Sequence, residues 1–424
     1  MKKIGVIGLG YVGLPLALLA DEKGFSVVGV DLDKEKIQSL KRREAPIDGQ
    51  RIGQQIKKTK IVFTDDFSKI KNVDIAIICV PTPVDKNKSP DLSIVKNASL
   101  NAAKHLKKGS LLIIESTINP GVCNEVIIPL IEEETSHKIG KTLHVAHCPE
   151  RINPGDPKWH VGNINRVLGA DSEESLDIAY SFYTQLVDAK IKKMGSIKEA
   201  EAVKIVENTF RDVNIAFVNE LAMSFEKLGI NINNVIDGAA TKPFAFMAHY
   251  PGIGVGGHCI PVDPYYLIEY ARGNGFEHKF LSLARSINES MPTYAVNLVE
   301  ETLIKMAEGT LQGKTVAVLG LSYKANVRDD RESPSYVLIN QLEARGAVIR
   351  IFDPYFPEKS DASTLEEALL GADVSILVTG HQEFASLNPS GLSNLKVFLD
   401  GRNVYKDRRD VFTQNGIYYL GIGV

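Results

Sequence analysis

Three glycines, a lone thiol and an aspartate four residues beyond it share one short stretch, Gly254-Val255-Gly256-Gly257-His258-Cys259-Ile260-Pro261-Val262-Asp263-Pro264. A thiolate attacks a carbonyl carbon readily and leaves it readily, so a cysteine placed here suits covalent catalysis. Pro261 keeps the segment non-helical, and Asp263-Pro264 make an N-cap and first-turn pair for a helix through Tyr265-Tyr266-Leu267-Ile268. Cys259 then lies just ahead of a helix N-terminus, where the positive helix end and His258 would favour thiolate over thiol. The same spacing equally fits a buried structural cysteine in a tight turn with a capping aspartate.

The chain begins with a second chemical signature. An apolar run, Ile4 to Ile7, leads into Gly8-Leu9-Gly10-Tyr11-Val12-Gly13 and then a helical stretch from Leu14 to Lys23. The next apolar run, Ser26 to Val30, ends in Asp31, eighteen residues after Gly13. Strand, glycine turn, helix, strand and acid arrive in the order that binds a dinucleotide: Gly8 permits the turn, Gly10 lets the pyrophosphate approach, Gly13 allows close helix packing, and Asp31 meets the ribose hydroxyls. A carboxylate there repels a 2′-phosphate and so argues for NAD over NADP, with Lys34 and Lys36 nearby as opposing charges.

Further strands are expected at Asp74 to Val80, Leu111 to Glu115 and Leu143 to Ala146. They run into Pro81-Thr82-Pro83, Ser116-Thr117 and Cys148-Pro149-Glu150-Arg151. Loops at the carboxyl ends of parallel strands are where doubly wound sheets bind ligands, so these three should converge on one crevice. Ser196 and Glu199 form a capping box that opens a helix ending near Gly229. In it Val203, Val206, Phe210, Val213, Phe217, Leu221, Phe225 and Leu228 form an apolar seam, with Lys204, Asn208 and Arg211 on the opposite stripe. At roughly 30 residues it spans about 45 Å, more than one small domain needs, and reads as a connector between domains and a subunit interface. A helical region from Glu277 to about Glu308, containing Pro292, follows. A second α/β segment has strands at Lys314 to Gly320, Val348 to Phe352, Val374 to Val378 and Val397 to Leu399, and a helix capped by Ser333-Pro334. Its first loop lacks the dinucleotide glycines and carries Lys324, Arg328 and Arg331, which suits another phosphate-bearing ligand.

At 424 residues the chain is too long for one ordinary core. A net charge of -3 implies no wholesale attraction to nucleic acid or an anionic membrane. The four cysteines, Cys79, Cys123, Cys148 and Cys259, show no paired spacing for a metal or a disulfide framework, so no metal site and a reducing compartment are expected. With apolar runs only strand-length, neither a signal peptide nor a membrane span is read, and a cytoplasmic protein is the expectation.

Together these residues resemble the UDP-glucose and GDP-mannose dehydrogenase family of NAD-dependent, four-electron nucleotide-sugar oxidoreductases. The resemblance covers essentially the whole chain. It rests on Gly8 to Gly13, Val80-Pro81-Thr82-Pro83, Glu115-Ser116-Thr117, Lys204 with Asn208, Gly256-Gly257-His258-Cys259 with Asp263, and Lys324 through Asp330-Arg331-Glu332-Ser333-Pro334. It implies an α/β fold: an N-terminal Rossmann domain over 1–195, a central helical dimerisation and catalytic segment over 196–308, and a C-terminal Rossmann-like, UDP-binding domain over 309–424. A primary alcohol at sugar C6 would be oxidised twice, with Cys259 holding a thiohemiacetal and then a thioester that water cleaves to the uronic acid. By the same resemblance Lys204 and Asn208 stabilise the alkoxide, Asp263 activates water, Thr117 holds that water and Glu150 assists proton transfer. NAD contacts fall on Gly8, Gly10, Tyr11, Val12, Gly13, Asp31, Lys36, Pro81, Thr82, Glu115, Ser116 and Arg331. Substrate contacts fall on Arg151, Arg211, Asn214, Gly256, Gly257, His258, Tyr323 and Lys324. The implied assembly is a homodimer or a higher homo-oligomer.

Two departures from the glucose-specific branch narrow the substrate. Pro154 stands where that branch has a second glutamate, and Val262 where it has a lysine. Both, with Asn208-Thr209-Phe210-Arg211-Asp212-Val213-Asn214, resemble the branch that oxidises UDP-N-acetylhexosamines. A 6-phosphogluconate-type reductase would share the first domain and the long helices but would not need Cys259 or a second α/β domain. A silent sugar-nucleotide binding protein would not need Cys259, Lys204, Asn208 and Asp263 together.

Overall fold

A computed structural model describes residues 2–46, 50–85, 89–152 and 158–424. The chain forms two compact units, Met1–Glu207 with Tyr265–Gly275 and Asn208–Pro264 with Phe276–Val424. Among the described residues no helix is long and apolar enough to cross a membrane.

The first unit is built on an eight-stranded sheet: β1 (Lys3–Ile7), β2 (Ser26–Val30), β3 (Val62–Thr64), β4 (Ile75–Ile78), β5 (Ser110–Ile114), β6 (Leu143–His147), β7 (Arg166–Ala170) and β8 (Ile191–Lys193), in the order β3-β2-β1-β4-β5-β6-β7-β8. The six strands from β3 to β6 are parallel, and β7 turns antiparallel to β6. Strands covered by helices on both faces read as continuous apolar runs, which is why Ile75–Ile78 and Ser110–Ile114 are buried throughout. Each such Ile or Leu contributes about 1.5–3 kcal/mol by leaving water. Two of its helices start on side-chain caps: Asp33 accepts from the Lys36 N–H (3.0 Å) and Ser172 from the Ser175 N–H (3.2 Å).

The second unit repeats the plan on a smaller scale. β9 (Thr315–Leu319), β10 (Val348–Phe352), β11 (Val374–Leu377), β12 (Val397–Asp400) and β13 (Tyr418–Gly421) form one parallel sheet in the order β10-β9-β11-β12-β13. The correspondence reaches individual bonds. Asp74 accepts the Lys3 N–H at the start of β1 and Asp373 the Thr315 N–H at the start of β9, both at 2.8 Å. Gly8 (φ +91°) and Gly320 (φ +102°) end the two first strands in left-handed turns, and Asp31 and Asp353 follow the two second strands.

The expected helix appears as Ile197–Leu228, 32 residues, and the Glu199 N–H is held by Ser196 Oγ at 3.1 Å. Within one chain its apolar seam stays partly open: Val206 is 56% exposed, Phe210 50%, Phe217 53% and Leu228 64%. Buried instead are Glu201, Lys204, Ile205, Asn208, Thr209, Asp212, Ala216 and Ala222. Periodicity finds the apolar stripe of a helix, but a stripe that one chain leaves open and a polar stripe paired inside it reverse the usual orientation. A second long helix, Lys279–Lys305, takes Pro292 within its length as expected.

Candidate active site

In the first unit the glycine turn has the shape that a dinucleotide requires. A Cβ on Gly8 would lie 2.5 Å from the Cys79 carbonyl oxygen and one on Gly13 only 1.8 Å from the Gly8 oxygen, so both positions are closed to side chains by backbone. At Gly10 a Cβ would meet nothing within 4 Å. That opening, ahead of the helix Gly13–Glu22, fits a pyrophosphate on the helix N-terminus, with Tyr11 exposed beside it and Val12 directly before the helix. Asp31 Oδ2 accepts the Leu9 N–H (2.8 Å) and the Lys36 ammonium (2.9 Å), and its Oδ1 accepts the Asp33 N–H (3.0 Å). Lys36 thus neutralises the acid expected to read the ribose.

The loops after β4, β5 and β6 come together as expected. Thr82 Oγ1 donates to the Thr117 carbonyl (2.6 Å), Ser116 Oγ to the Val80 carbonyl (2.7 Å), and the Glu150 N–H to the Glu115 carbonyl (3.3 Å). Tyr266 donates its hydroxyl to the Thr82 carbonyl, behind Pro81. The donors of Thr82 and Ser116 are therefore engaged in joining loops. Glu115, expected at the cofactor, turns inward: it is 1% exposed, paired with Arg166 at 3.1 Å and bonded by the Tyr183 hydroxyl. Burial pushes its carboxyl above the ordinary value against the pull of Arg166, and nearby Glu150 pushes the same way. Neither Arg166 nor Tyr183 was legible as functional, because a buried ion pair leaves no periodic trace.

Glu150 is buried, its Oε1 accepting the N–H groups of Arg151 (2.5 Å) and Ile152. Arg151, expected at the substrate, makes a two-point ion pair with Glu207 and donates to the Asn165 carbonyl. Thr117 is half-buried. Lys204 lies on the buried face of the long helix, three residues after Glu201, whose carboxylate accepts the Gly121 (2.5 Å) and Cys123 (2.9 Å) N–H groups. That carboxylate fastens the segment following Thr117 to the helix carrying Lys204. Pro154 lies outside the described residues.

The second unit holds the thiol. The Cys259 carbonyl accepts the N–H groups of Val262 (3.1 Å) and Asp263 (2.8 Å), a single turn that feeds the helix Asp263–Gly273. Asp263 is thus the first residue of the helix rather than outside it. Its buried carboxylate accepts from Asn208 Nδ2 at 2.5 Å. None of the four thiols is in a disulfide: Cys259 is exposed, whereas burial pushes Cys123 up and Cys148 up to about 12. Burial of the remaining thiol, Cys79, pushes it up as well.

Two expectations about this segment change. The room left by Gly256 and Gly257 is taken by Tyr323, since a Cβ on either would lie 2.7 Å from that side chain. The Gly257 N–H is also committed, to the Arg331 carbonyl at 2.9 Å. These glycines admit the Tyr323 side chain. His258 is not the cation beside the thiol, because burial and the Arg331 charge lower its pKa. Arg331, expected at the cofactor, has its side chain paired with Asp329 at 2.6 Å while its backbone holds Gly257.

Arg211 is exposed, Asn214 Nδ2 donates to the Phe210 carbonyl (2.6 Å), and Lys324 is half-buried beside Tyr323. A buried network that sequence reasoning missed braces the segment from behind. Arg285 and Asn288 hold Asp212 (2.6 and 2.8 Å), Asn219 donates to Asn288 (2.9 Å), and the Gly252 N–H donates to Asn219 (3.0 Å).

Comparison with known proteins covers the same ground. The chain matches three models of the UDP-glucose/GDP-mannose dehydrogenase family: the NAD binding domain over residues 2–187, the central domain over 198–290 and the UDP binding domain over 317–407. It is 37% identical to a UDP-N-acetyl-D-mannosamine dehydrogenase of Pyrococcus horikoshii, covering 98% of this chain and 99% of the relative. It is 33% identical to a UDP-N-acetyl-D-glucosamine 6-dehydrogenase of Pseudomonas aeruginosa, covering 93% and 94%. A solved structure of UDP-D-ManNAc dehydrogenase from Pyrococcus horikoshii superposes with a TM-score of 0.92 at 36% identity, over 100% of this chain and 99% of that one.

Proposed function

The chain belongs to the UDP-glucose/GDP-mannose dehydrogenase family, and from that premise we propose that it oxidises the C6 hydroxyl of a UDP-N-acetylhexosamine, of gluco or manno configuration, to the uronic acid with NAD. Cys259 carries the reading: the one exposed thiol of four stands on a turn closed by Asp263, which is itself bonded to Asn208.

The glycine turn Gly8–Gly13 and Asp31 are the groups that would hold the dinucleotide; one NAD⁺ would accept the first hydride and leave as NADH, and a second NAD⁺ bound in its place would accept the second. Lys204 donates to the alkoxide oxygen that develops at C6, with Asn208 as a second donor. Between the two oxidations Cys259 Sγ adds to the C6 aldehyde carbon, forming the C–S bond of a thiohemiacetal while the carbonyl oxygen takes a proton. After the second oxidation C6 is a thioester. Asp263 removes a proton from water, held by Thr117, as its oxygen attacks C6. The C–S bond then breaks, returning the electron pair to sulfur, and Glu150 assists the proton transfers.

The exposed stripe Val206, Phe210 and Phe217 is the surface on which two chains associate. The protein works in the cytoplasm and feeds uronates to surface polysaccharide assembly. Its near-neutral charge suits neither nucleic acid nor an anionic membrane as partner.

Incubating the protein with NAD and UDP-N-acetylglucosamine, UDP-N-acetylmannosamine, UDP-N-acetylgalactosamine or UDP-glucose, and counting NADH per uronate, tests the reading. Two NADH per product from one of the first two sugars is expected. One NADH per product, no turnover, or a Cys259→Ser enzyme releasing uronate at the wild-type rate would overturn it. Phe217→Asp should convert the assembly to monomer in sedimentation, and an unchanged sedimentation coefficient would remove the proposed interface.

A further inference from the structure

The loop leaving β9 presents Tyr323 and Lys324, and two buried side chains hold its ends. At the near end Asp353 Oδ2 accepts the N–H groups of Leu321 (2.6 Å) and Ser322 (2.8 Å) and the Ser322 hydroxyl (3.0 Å). At the far end Asn326, left-handed at φ +61°, donates its N–H to His381 Nδ1 (2.9 Å) and accepts the Gln382 N–H on its side-chain oxygen (3.0 Å). His381 Nε2 then lies 3.2 Å from Asp353 Oδ2, closing the circuit. Because a backbone N–H can only donate, Nδ1 must present its lone pair, and the ring proton sits on Nε2 facing Asp353. Tyr355 stacks on the ring with centroids 4.7 Å apart, Phe384 meets it edge-on at 5.4 Å, and His381 is 1% exposed.

We propose that His381 is a positioning residue for substrate recognition: its imidazole bridges Asp353 and Asn326 and so fixes the loop that offers Tyr323 and Lys324 to the UDP portion of the sugar nucleotide. This rests on the nucleotide-sugar reading above. His381 touches no reacting atom. Tyr323 also fills the space beside Gly256 and Gly257, so the same bridge supports the segment carrying Cys259.

Two substitutions separate the two ends of the ring. His381→Gln places an amide N–H where Nε2–H stood, keeping the bond to Asp353 and losing the acceptor for Asn326. His381→Asn places its oxygen where Nδ1 stood, keeping the acceptor and losing the donor. UDP binding to the full-length protein is read by calorimetry, with KM and kcat for the sugar nucleotide and the melting temperature alongside. The Gln variant should weaken UDP binding and raise KM roughly tenfold with kcat within about twofold, because a buried N–H has lost its partner. The Asn variant should stay within about threefold of wild type. Asn326→Gly leaves the core intact, releases only the Gln382 bond, and should weaken UDP binding two- to threefold or so, which keeps the idea open to refutation if a His381 variant fails to fold. A folded His381→Gln variant that binds UDP as wild type does, or that loses kcat with KM unchanged, would overturn the positioning role, and so, if His381→Gln does not fold, would an Asn326→Gly protein that binds UDP as wild type does. A wild-type protein that does not bind UDP would overturn the nucleotide-sugar reading, and this inference with it.

Discussion

Replacing Arg166 with methionine tests the buried charge cluster beneath the Glu150 loop. Arg166 and Glu115 are 3.1 Å apart with side chains 1% and 0% exposed, so the substitution strands a carboxylate in the core. Breaking a buried pair from one side costs about 3–5 kcal/mol. For a unit of this size each kcal/mol lowers the melting temperature by about 2–4 °C, so a drop on the order of 10 °C is expected. The remedy open to the variant is to protonate Glu115, whose carboxyl already lies above its ordinary value through burial. The folded variant then holds a proton that the unfolded chain has released, so its stability falls as pH rises through the raised folded pKa. Thermal unfolding should show a smaller deficit against wild type near pH 5 than near pH 8. In the double variant Glu115→Gln, Arg166→Met the amide oxygen still accepts from Tyr183 and no charge is left, so about 2 kcal/mol or more should return. A single variant within a degree or two of wild type at both pH values, or a double variant as weak as the two singles added, would refute the account of this cluster as a coupled pair.

Asp263→Asn keeps an oxygen for Asn208 to bond but removes the proposed base, so on the proposed mechanism uronate release should slow by about 10²-fold or more while a sugar adduct accumulates on Cys259, visible by mass spectrometry. Asp31→Ser frees Lys36 from its ion pair and removes the charge opposing a 2′-phosphate, which should raise the NADP-to-NAD ratio of kcat/KM roughly tenfold or more; an unchanged ratio would place cofactor choice elsewhere. Burial lowers His147 to about 3, so the folded protein binds fewer protons than the unfolded chain between that value and the ordinary one near 6.5. Stability is therefore lost as pH falls through this window, by about 2 kcal/mol between pH 6.5 and 5, and denaturant titrations of His147→Leu should show a flatter acid limb.

How far the sequence could be read depended on whether a residue type reports its own backbone. Gly8, Gly13 and Asp31 were legible because turn, packing and acid each demand one residue type, and the apolar strands were legible because burial on both faces leaves continuous runs. The face that the long helix buries was not. Asn208 and Asp212 pair inside, with Lys204 buried on the same face, while Phe210 and Phe217 stay outside, an orientation that depends on partners far away in the chain. Cys259 was legible as a candidate nucleophile, but the close packing of Tyr323, more than sixty residues later, against its glycines was not. The strand β7 was missed altogether, and with it Arg166, which opens that strand as a buried cation.

The two sheets set an aspartate at the same address, after the second strand, and treat it oppositely. Asp31 keeps company with an opening at Gly10, whereas Asp353 is sealed, held at about 2 by hydrogen bonds from His381 and backbone that outweigh its burial. Two residues past Gly320 stands Ser322, bonded to that aspartate, where the first sheet has Gly10. A molecule that carries two copies of one frame could offer its coenzyme two berths and stall with the wrong one filled. Here the duplicate is closed from inside by an imidazole, so a titration with dinucleotide should end at a single equivalent per chain.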